Sequence, residues 1–433
     1  MNIDLAMKIR FFLLASLFVA VPALASARPP NIVLIMADDL GYECVGTNGC
    51  LSYATPEIDR IAGEGARFIH CYSQPLCTPS RVQLMTGLYN FRNYTRFSEL
   101  AADQQTFGHF LKAAGYATCL ANKWQLGAKK PDHFGFDEYA IHQPCRSHWG
   151  QPIIRNGEKI QLETDVYGPD YFVEFIENFI ERHRGQPFFV YFPIWLTHEP
   201  FDATPDSQDP SGRLDAKYFS DMIAYLDKIV GRIDAKLAAE GLAEKTLLVF
   251  TADNGTPKLI QTKTTDGVVS GGKAQLTDTG THVPLIVKWP GHVAPGTVSA
   301  DLIDFTDFVP TLADAADAVL PNNIPFDGRS FLPRITGGDA EPRKYVYLSL
   351  DPRKPNNTLP FSQRRKAPTV GPVDWCVRDQ CWKLYQDGRF FDLQADPLEE
   401  QPLSAATMPP EAKVARQFLD KVLATFPNLK ELR

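Results

Sequence analysis

Hydrophobic and polar positions along this chain fall into two rhythms. Residues 31–36, Asn-Ile-Val-Leu-Ile-Met, form a nearly continuous apolar run that ends at Ala37-Asp38-Asp39. Residues 246–251 form a second run, ending at Ala252-Asp253-Asn254-Gly255, and residues 187–192 and 283–289 form a third and a fourth. Short apolar runs without alternation predict strands buried on both faces, as in a parallel sheet. Between them the period changes. Residues 171–182 set Phe172, Phe175, Ile176 and Phe179 on one helical face, and residues 218–239 do the same with Met222, Leu226, Ile229, Ile233 and Leu237. Strands alternating with helices predict an α/β sheet covered on both sides. In such sheets ligands bind beyond the carboxyl ends of the strands. Asp38-Asp39 and Asp253-Asn254 fall at those ends.

The rhythm shifts after about residue 335. Residues 337–342 have linker or turn composition. Residues 345–350, 374–377, 381–385 and 390–393 then predict short antiparallel strands, and residues 410–426 a terminal amphipathic helix with Val414, Phe418, Leu419 and Val422 apolar. The expected fold is a large mixed, mostly parallel sheet flanked by helices, spanning 28–338. A smaller antiparallel-sheet subdomain with a terminal helix spans 339–433.

The first 27 residues are expected to lie outside the fold. Lys8 and Arg10 precede an apolar run at 11–21, and Ala23-Leu24-Ala25 and Ala25-Ser26-Ala27 offer small-residue cleavage sites. This predicts a signal peptide cut after Ala25 or Ala27, and a periplasmic or extracellular protein. The run is short for a membrane span, and no later segment has 18 uninterrupted apolar residues, so no stable span is expected after cleavage.

Composition narrows the partners. The formal net charge of the 433 residues is −7, which argues against a general nucleic-acid surface. An anionic ligand must therefore be held by local cations. Eight cysteines are present, and export permits disulfides. Cys376 and Cys381 flank a predicted hairpin tip and could face each other across two strands, but connectivity is open.

The densest chemistry is Cys77-Thr78-Pro79-Ser80-Arg81, followed after four residues by Thr86-Gly87. Taken singly, a cysteine is a small buried hydrophobe, and Pro-Ser-Arg is a helix start. Taken together, the string resembles the signature of the sulfatase family. That resemblance implies that Cys77 is oxidised by a separate maturation enzyme to formylglycine (3-oxoalanine), whose hydrate attacks sulfate-ester sulfur. The tail at 390–397, Phe-Phe-Asp-Leu-Gln-Ala-Asp-Pro, also resembles the family, so the likeness runs almost end to end.

Asp38, Asp39, Asp253 and Asn254 are four hard oxygen donors with no cysteine or histidine in ligand spacing, a set suited to Ca2+ or Mg2+ rather than Zn2+. The family resemblance implies calcium there, in contact with the residue at position 77. It further implies that Arg81 holds the nucleophile loop and that Lys123 and Lys273 contact sulfate oxygens. Asp253 would accept the nucleophile's proton, and His198, in His198-Glu199-Pro200, would assist departure of the alcohol with Lys273. His282 is a further candidate substrate contact.

One position departs from the pattern. Residues 122–127 read Asn-Lys-Trp-Gln-Leu-Gly, with Gln125 where the family commonly has a histidine. A glutamine can hydrogen-bond but not titrate, so either another base or water takes the proton when sulfate leaves the enzyme, or turnover is slow; the alternative is that Gln125 only shapes the substrate-binding pocket. The expected substrate is a sulfated carbohydrate or polysaccharide, with segments 90–94, 142–149 and 258–263 as candidate specificity regions. Two alternatives stand beside it: a formylglycine-dependent phosphonate or phosphate ester hydrolase, and a non-catalytic binder of sulfated glycans.

Overall fold

The computed structural model describes residues 28–351, 373–406 and 408–432. The expected signal peptide at 1–27 lies outside the described residues. Sixteen strands are present among the described residues. Ten form the main sheet: β1 (Asn31–Ala37), β2 (Ala66–Tyr72), β3 (Ala117–Asn122), β4 (Glu138–His142), β5 (Pro152–Arg155), β6 (Glu158–Gln161), β7 (Phe188–Pro193), β8 (Thr246–Ala252), β11 (Leu285–Lys288) and β12 (Thr297–Asp304). The strands β9 (Gln261–Thr264) and β10 (Gly267–Ser270) make a separate hairpin. Four more, β13 (Val346–Leu350), β14 (Asp374–Arg378), β15 (Trp382–Tyr385) and β16 (Phe390–Asp392), make a small antiparallel sheet in sequence order.

The main sheet runs β12-β2-β11-β8-β1-β7-β3-β4-β5-β6. Every residue of β1, β7 and β8 is buried, as their unbroken apolar runs require for central strands covered on both faces. The helices Gly168–His183 and Phe219–Ala239 pack against each other and bury the apolar faces expected of them. The run at 283–289, grouped by composition with the parallel strands, is antiparallel to both of its neighbours, β8 and β2. The reason is where it starts. The segment before it lies at the carboxyl edge of the sheet, with Lys273 on Asp39, so β11 can only run back down.

The terminal helix is Pro410–Leu423 and buries Ala412, Leu419 and Val422. Val414, expected on that face, is 69% exposed. Arg378 docks the small sheet on the large one: it pairs with Asp278 at 2.5 Å and lies over the Tyr72 ring at 3.9 Å. Gln74 adds a second tie, donating to the Tyr347 carbonyl at 3.3 Å and accepting from the Ser349 N–H at 2.8 Å. Cys376 faces Tyr385 across β14 and β15, Cys381 precedes β15 in the connecting turn, and all eight cysteines are free thiols.

Candidate functional site

Strand register brings the acidic pairs together. Ala37 of β1 lies opposite Ala252 of β8, so the next residues, Asp38-Asp39 and Asp253-Asn254, leave the same edge side by side. The Asp39 N–H donates to Asp253 Oδ1 at 3.1 Å, and Asn254 Nδ2 donates to Asp39 Oδ1 at 2.7 Å. Asp39 has φ of +63°, a left-handed conformation that aspartate tolerates better than most residues. The chain turns there, across the sheet edge.

The neighbouring strands deliver the cations. Lys123 follows β3, its N–H donating to the Pro193 carbonyl at the end of β7, and its ammonium pairs with Asp38 Oδ2. Arg81 projects from the helix Cys77–Thr86 and donates to Asp253 Oδ2 from Nε at 3.1 Å and from a terminal nitrogen at 2.7 Å. Lys273 Nζ reaches Asp39 Oδ2 at 2.5 Å. Its loop can come this close because Gly255 has no side chain: a Cβ there would sit 1.9 Å from the Thr279 carbonyl oxygen. His198, beyond β7, holds Nε2 3.7 Å from Asp39 Oδ2.

Three carboxylates thus face three fixed cations in a site almost closed to water, and charge decides the protonation states. Burial alone would raise the Asp38 carboxyl, but Lys123, His198 and Arg81 outweigh it and hold its pKa below the ordinary value. Asp253 goes the other way: burial and the Asp38 charge push it up despite Arg81. Burial works against the charges of Arg81 and Lys273, but their aspartates overcome it and both are held more firmly protonated than usual.

Cys77 opens its helix and is 2% exposed. Lys123, Lys273, Asp38 and Asp253 are its charged neighbours. Burial raises its thiol pKa in spite of the lysines. Ser80, three residues on, bonds from Oγ to the Gln74 and Leu76 carbonyls at 2.9 Å each and so fixes the approach to Cys77. Gln125 Oε1 accepts from Cys77 Sγ at 3.6 Å, which puts the departure from the family pattern directly beside Cys77.

The donor set fits a hard dication. Asp38 Oδ1 and Asn254 Oδ1 are both buried without a hydrogen-bond partner, which is costly unless something cationic satisfies them. Asp38, Asp39 and His198 each present a ligating atom within 4.8 Å of one another. A dication added to three carboxylates and three cations would leave the site with a net positive charge, complementary to an anionic ester.

A cleft of about 500 Å3 opens beside this cluster, lined among others by Lys123, Gln125, His142, Trp195 and His198. Trp195 stacks on His142 with ring centres 4.5 Å apart. Sequence reasoning missed Trp195, although it follows β7 at the same carboxyl edge, and missed Ser98 and Lys130 on the cleft wall. Of the expected specificity segments, only 142–149 lines this cleft. Segment 90–94 instead buttresses the Cys77 helix, with Asn90 Nδ2 donating to the Pro79 carbonyl at 3.0 Å. Segment 258–263 leads into the β9–β10 hairpin, with Lys258 and Leu259 exposed. The structure does not bring His282 to the cluster. Its ring stacks on Tyr42 at 4.0 Å and bonds the Ile69 carbonyl at 3.0 Å, in a different recess that Asp278 and Arg378 also line.

Comparison with known proteins identifies the family. The family model described as Sulfatase matches residues 30–318, and that described as N-sulphoglucosamine sulphohydrolase, C-terminal, matches 272–425. Arylsulfatase A of Bos taurus is 32% identical over 93% of this chain and 89% of its own length. N-acetylgalactosamine-6-sulfatase of Mus musculus is 31% identical over 75% of this chain and 70% of its own. The crystal structure of Ps i-CgsB superposes with a TM-score of 0.75 at 25% identity, over 91% of this chain and 93% of that one.

Proposed function

The chain belongs to the sulfatase family and is a sulfuric ester hydrolase, and from that premise we propose that it desulfates a sulfated carbohydrate with a nucleophile made from Cys77. The observation that carries this reading is the position of Cys77 at a helix N-terminus, with Lys123 and Lys273 among its charged neighbours. The unmodified thiol is a poor candidate for the attack, since burial keeps it protonated and the thiolate is the reactive form. Formylglycine at position 77 would supply, when hydrated, an oxygen nucleophile, and Gln125 Oε1, which accepts from Cys77 Sγ, would be its hydrogen-bond acceptor.

Calcium, with magnesium as the alternative, is the cation suited to Asp38, Asp39, Asp253 and Asn254, and when bound it supplies positive charge to the sulfate oxygens and the nucleophile. The protein's own groups do the rest. Lys123 and Lys273 contact and neutralise sulfate oxygens, stabilising charge that builds as the ester breaks. Arg81 orients Asp253, which accepts the nucleophile's proton. His198, 22% exposed at the cleft side, donates the one proton that the leaving oxygen takes up, and Lys273 assists by holding its ammonium beside that oxygen.

The carbohydrate part of the reading is supported by a curated relative whose name specifies a sulfated sugar. It is also supported by a structural neighbour described in complex with D-glucosamine-2-N,6-O-disulfate as its substrate. Export fits such a substrate. No described helix is long and apolar enough to cross a membrane, and the basic and apolar pattern of the first 27 residues suits a cleaved leader.

The test is sulfate release from a panel of sulfated saccharides by protein made together with a maturation enzyme, with conversion at position 77 read by peptide mass. Release that Cys77→Ala abolishes is the expected result. Converted protein that cleaves phosphonate esters and no sulfate ester would overturn it.

A further inference from the structure

Lys130 is the one charged group on the cleft wall that the reaction above does not use. Among the described residues the lining of the cleft contains no aspartate or glutamate, and its two lysines are Lys123 and Lys130, in a chain whose net charge is −7. Lys123 is buried and neutralised by Asp38. Lys130 is half-buried, and among the described residues its ammonium has neither an ion pair nor a hydrogen bond.

Its backbone is fixed from both sides. Trp124 Nε1 donates to the Lys129 carbonyl at 2.8 Å, and the His133 N–H donates to the Lys130 carbonyl at 3.0 Å. The Leu100 N–H donates to the Leu126 carbonyl at 3.0 Å and ties down the start of the same loop. An unpaired ammonium on an anchored backbone, in a cleft whose described lining carries no carboxylate, is a receptor for an anion, and the preorganised backbone lowers the ordering cost of binding.

We propose that Lys130 selects substrates with a second negative charge, a further sulfate or a carboxylate, held by the cleft wall while the scissile sulfate lies at Lys123 and Lys273. The proposal rests on the functional reading above and names the substrate class more narrowly: polyanionic saccharides rather than singly sulfated ones.

The test is equilibrium binding to calcium-loaded Cys77→Ala protein, which needs no turnover. The probes are a monosulfated hexose, its disulfated counterpart and a monosulfated disaccharide containing a uronate. Preference for a doubly charged probe over the monosulfated one should fall about tenfold in Cys77→Ala/Lys130→Ala, the scale of a single hydrogen bond to a charged group. Lys130→Arg should retain it. Whichever doubly charged probe loses its advantage identifies the second anion as sulfate or carboxylate. A preference that is unchanged by Lys130→Ala, or absent from the start, overturns the proposal. Failure of converted, unmutated protein to hydrolyse any sulfated sugar would strike the functional reading instead, and the binding preference would still report on Lys130.

Discussion

The side-chain oxygen of Gln125 lies 3.6 Å from the sulfur of Cys77. Gln125 is a hydrogen-bonding group without a titratable proton, and on the proposed mechanism expulsion of sulfate would call for a base at this position. Gln125→His is expected to raise the steady-state rate of sulfate release by about 10²-fold, the lower range of general acid–base catalysis. KM should change less. A pre-steady-state burst in the unmutated protein that vanishes in the variant would show that the relieved step follows ester cleavage.

Removal of divalent cation should leave the buried Asp38 Oδ1 and Asn254 Oδ1 unsatisfied. Calcium is accordingly expected to stabilise the protein by about 2.7 kcal/mol at a hundred times its Kd. Thermal unfolding in chelator and in calcium reads this directly. Asn254→Ala should remove most of the calcium-dependent shift in Tm while leaving the fold intact in chelator.

Acid should destabilise the protein in part through His148, which is fully buried beside Trp195. Burial depresses its pKa to about 4, against about 6.5 in an unfolded chain. The unfolded state therefore takes up a proton below about pH 6.5 that the folded state refuses. Stability is complete above that pH and declines as pH falls toward 4. Between pH 7 and 5 the unmutated protein should lose about 2 kcal/mol more than His148→Gln, measured by urea unfolding at each pH. His70, His142 and His282 are depressed by burial too, so only the difference between the two proteins isolates His148.

Arg378 joins the two sheets through Asp278 and the Tyr72 ring. Arg378→Met should destabilise the protein by about 3 kcal/mol, since it leaves a largely desolvated carboxylate without its closest partner. The Lys383 ammonium, 3.7 Å from Asp278, would compensate only in part. Denaturant unfolding followed both by tryptophan fluorescence and by far-UV circular dichroism would show whether the small sheet then separates first.

Much of the site was legible because chemistry and topology coincide here. Asp38-Asp39 and Asp253-Asn254 end two unbroken apolar runs, and such runs become adjacent central strands whose ends share one edge. Cys77, Arg81, Lys123 and His198 stand in strings too specific for chance. What stayed hidden depends on long-range packing. The antiparallel sense of β11 follows from where the Lys273 loop ends, which apolar periodicity does not encode. His282 stands in a motif-like stretch, yet its ring is taken up by Tyr42 and the Ile69 carbonyl. Val414 matches the helical period but sits outside the narrow stripe that Ala412, Leu419 and Val422 bury. Lys130 shows no local signal, since a cleft wall is assembled from separate segments.

The Gln74 ties to Tyr347 and Ser349 also set an order of events during synthesis. The Gln74 N–H donates to Ser80 Oγ and its carbonyl accepts from that hydroxyl, and its side chain is engaged by residues 273 and 275 positions later in the chain. At about 5–20 residues per second, that separation corresponds to roughly 15–50 s of elongation. Throughout this interval Cys77 has been made, but the clamp over the segment leading to it cannot close. If Cys77 is converted by a maturation enzyme as proposed, the chain itself gives that enzyme a time window, which shuts when β13 arrives.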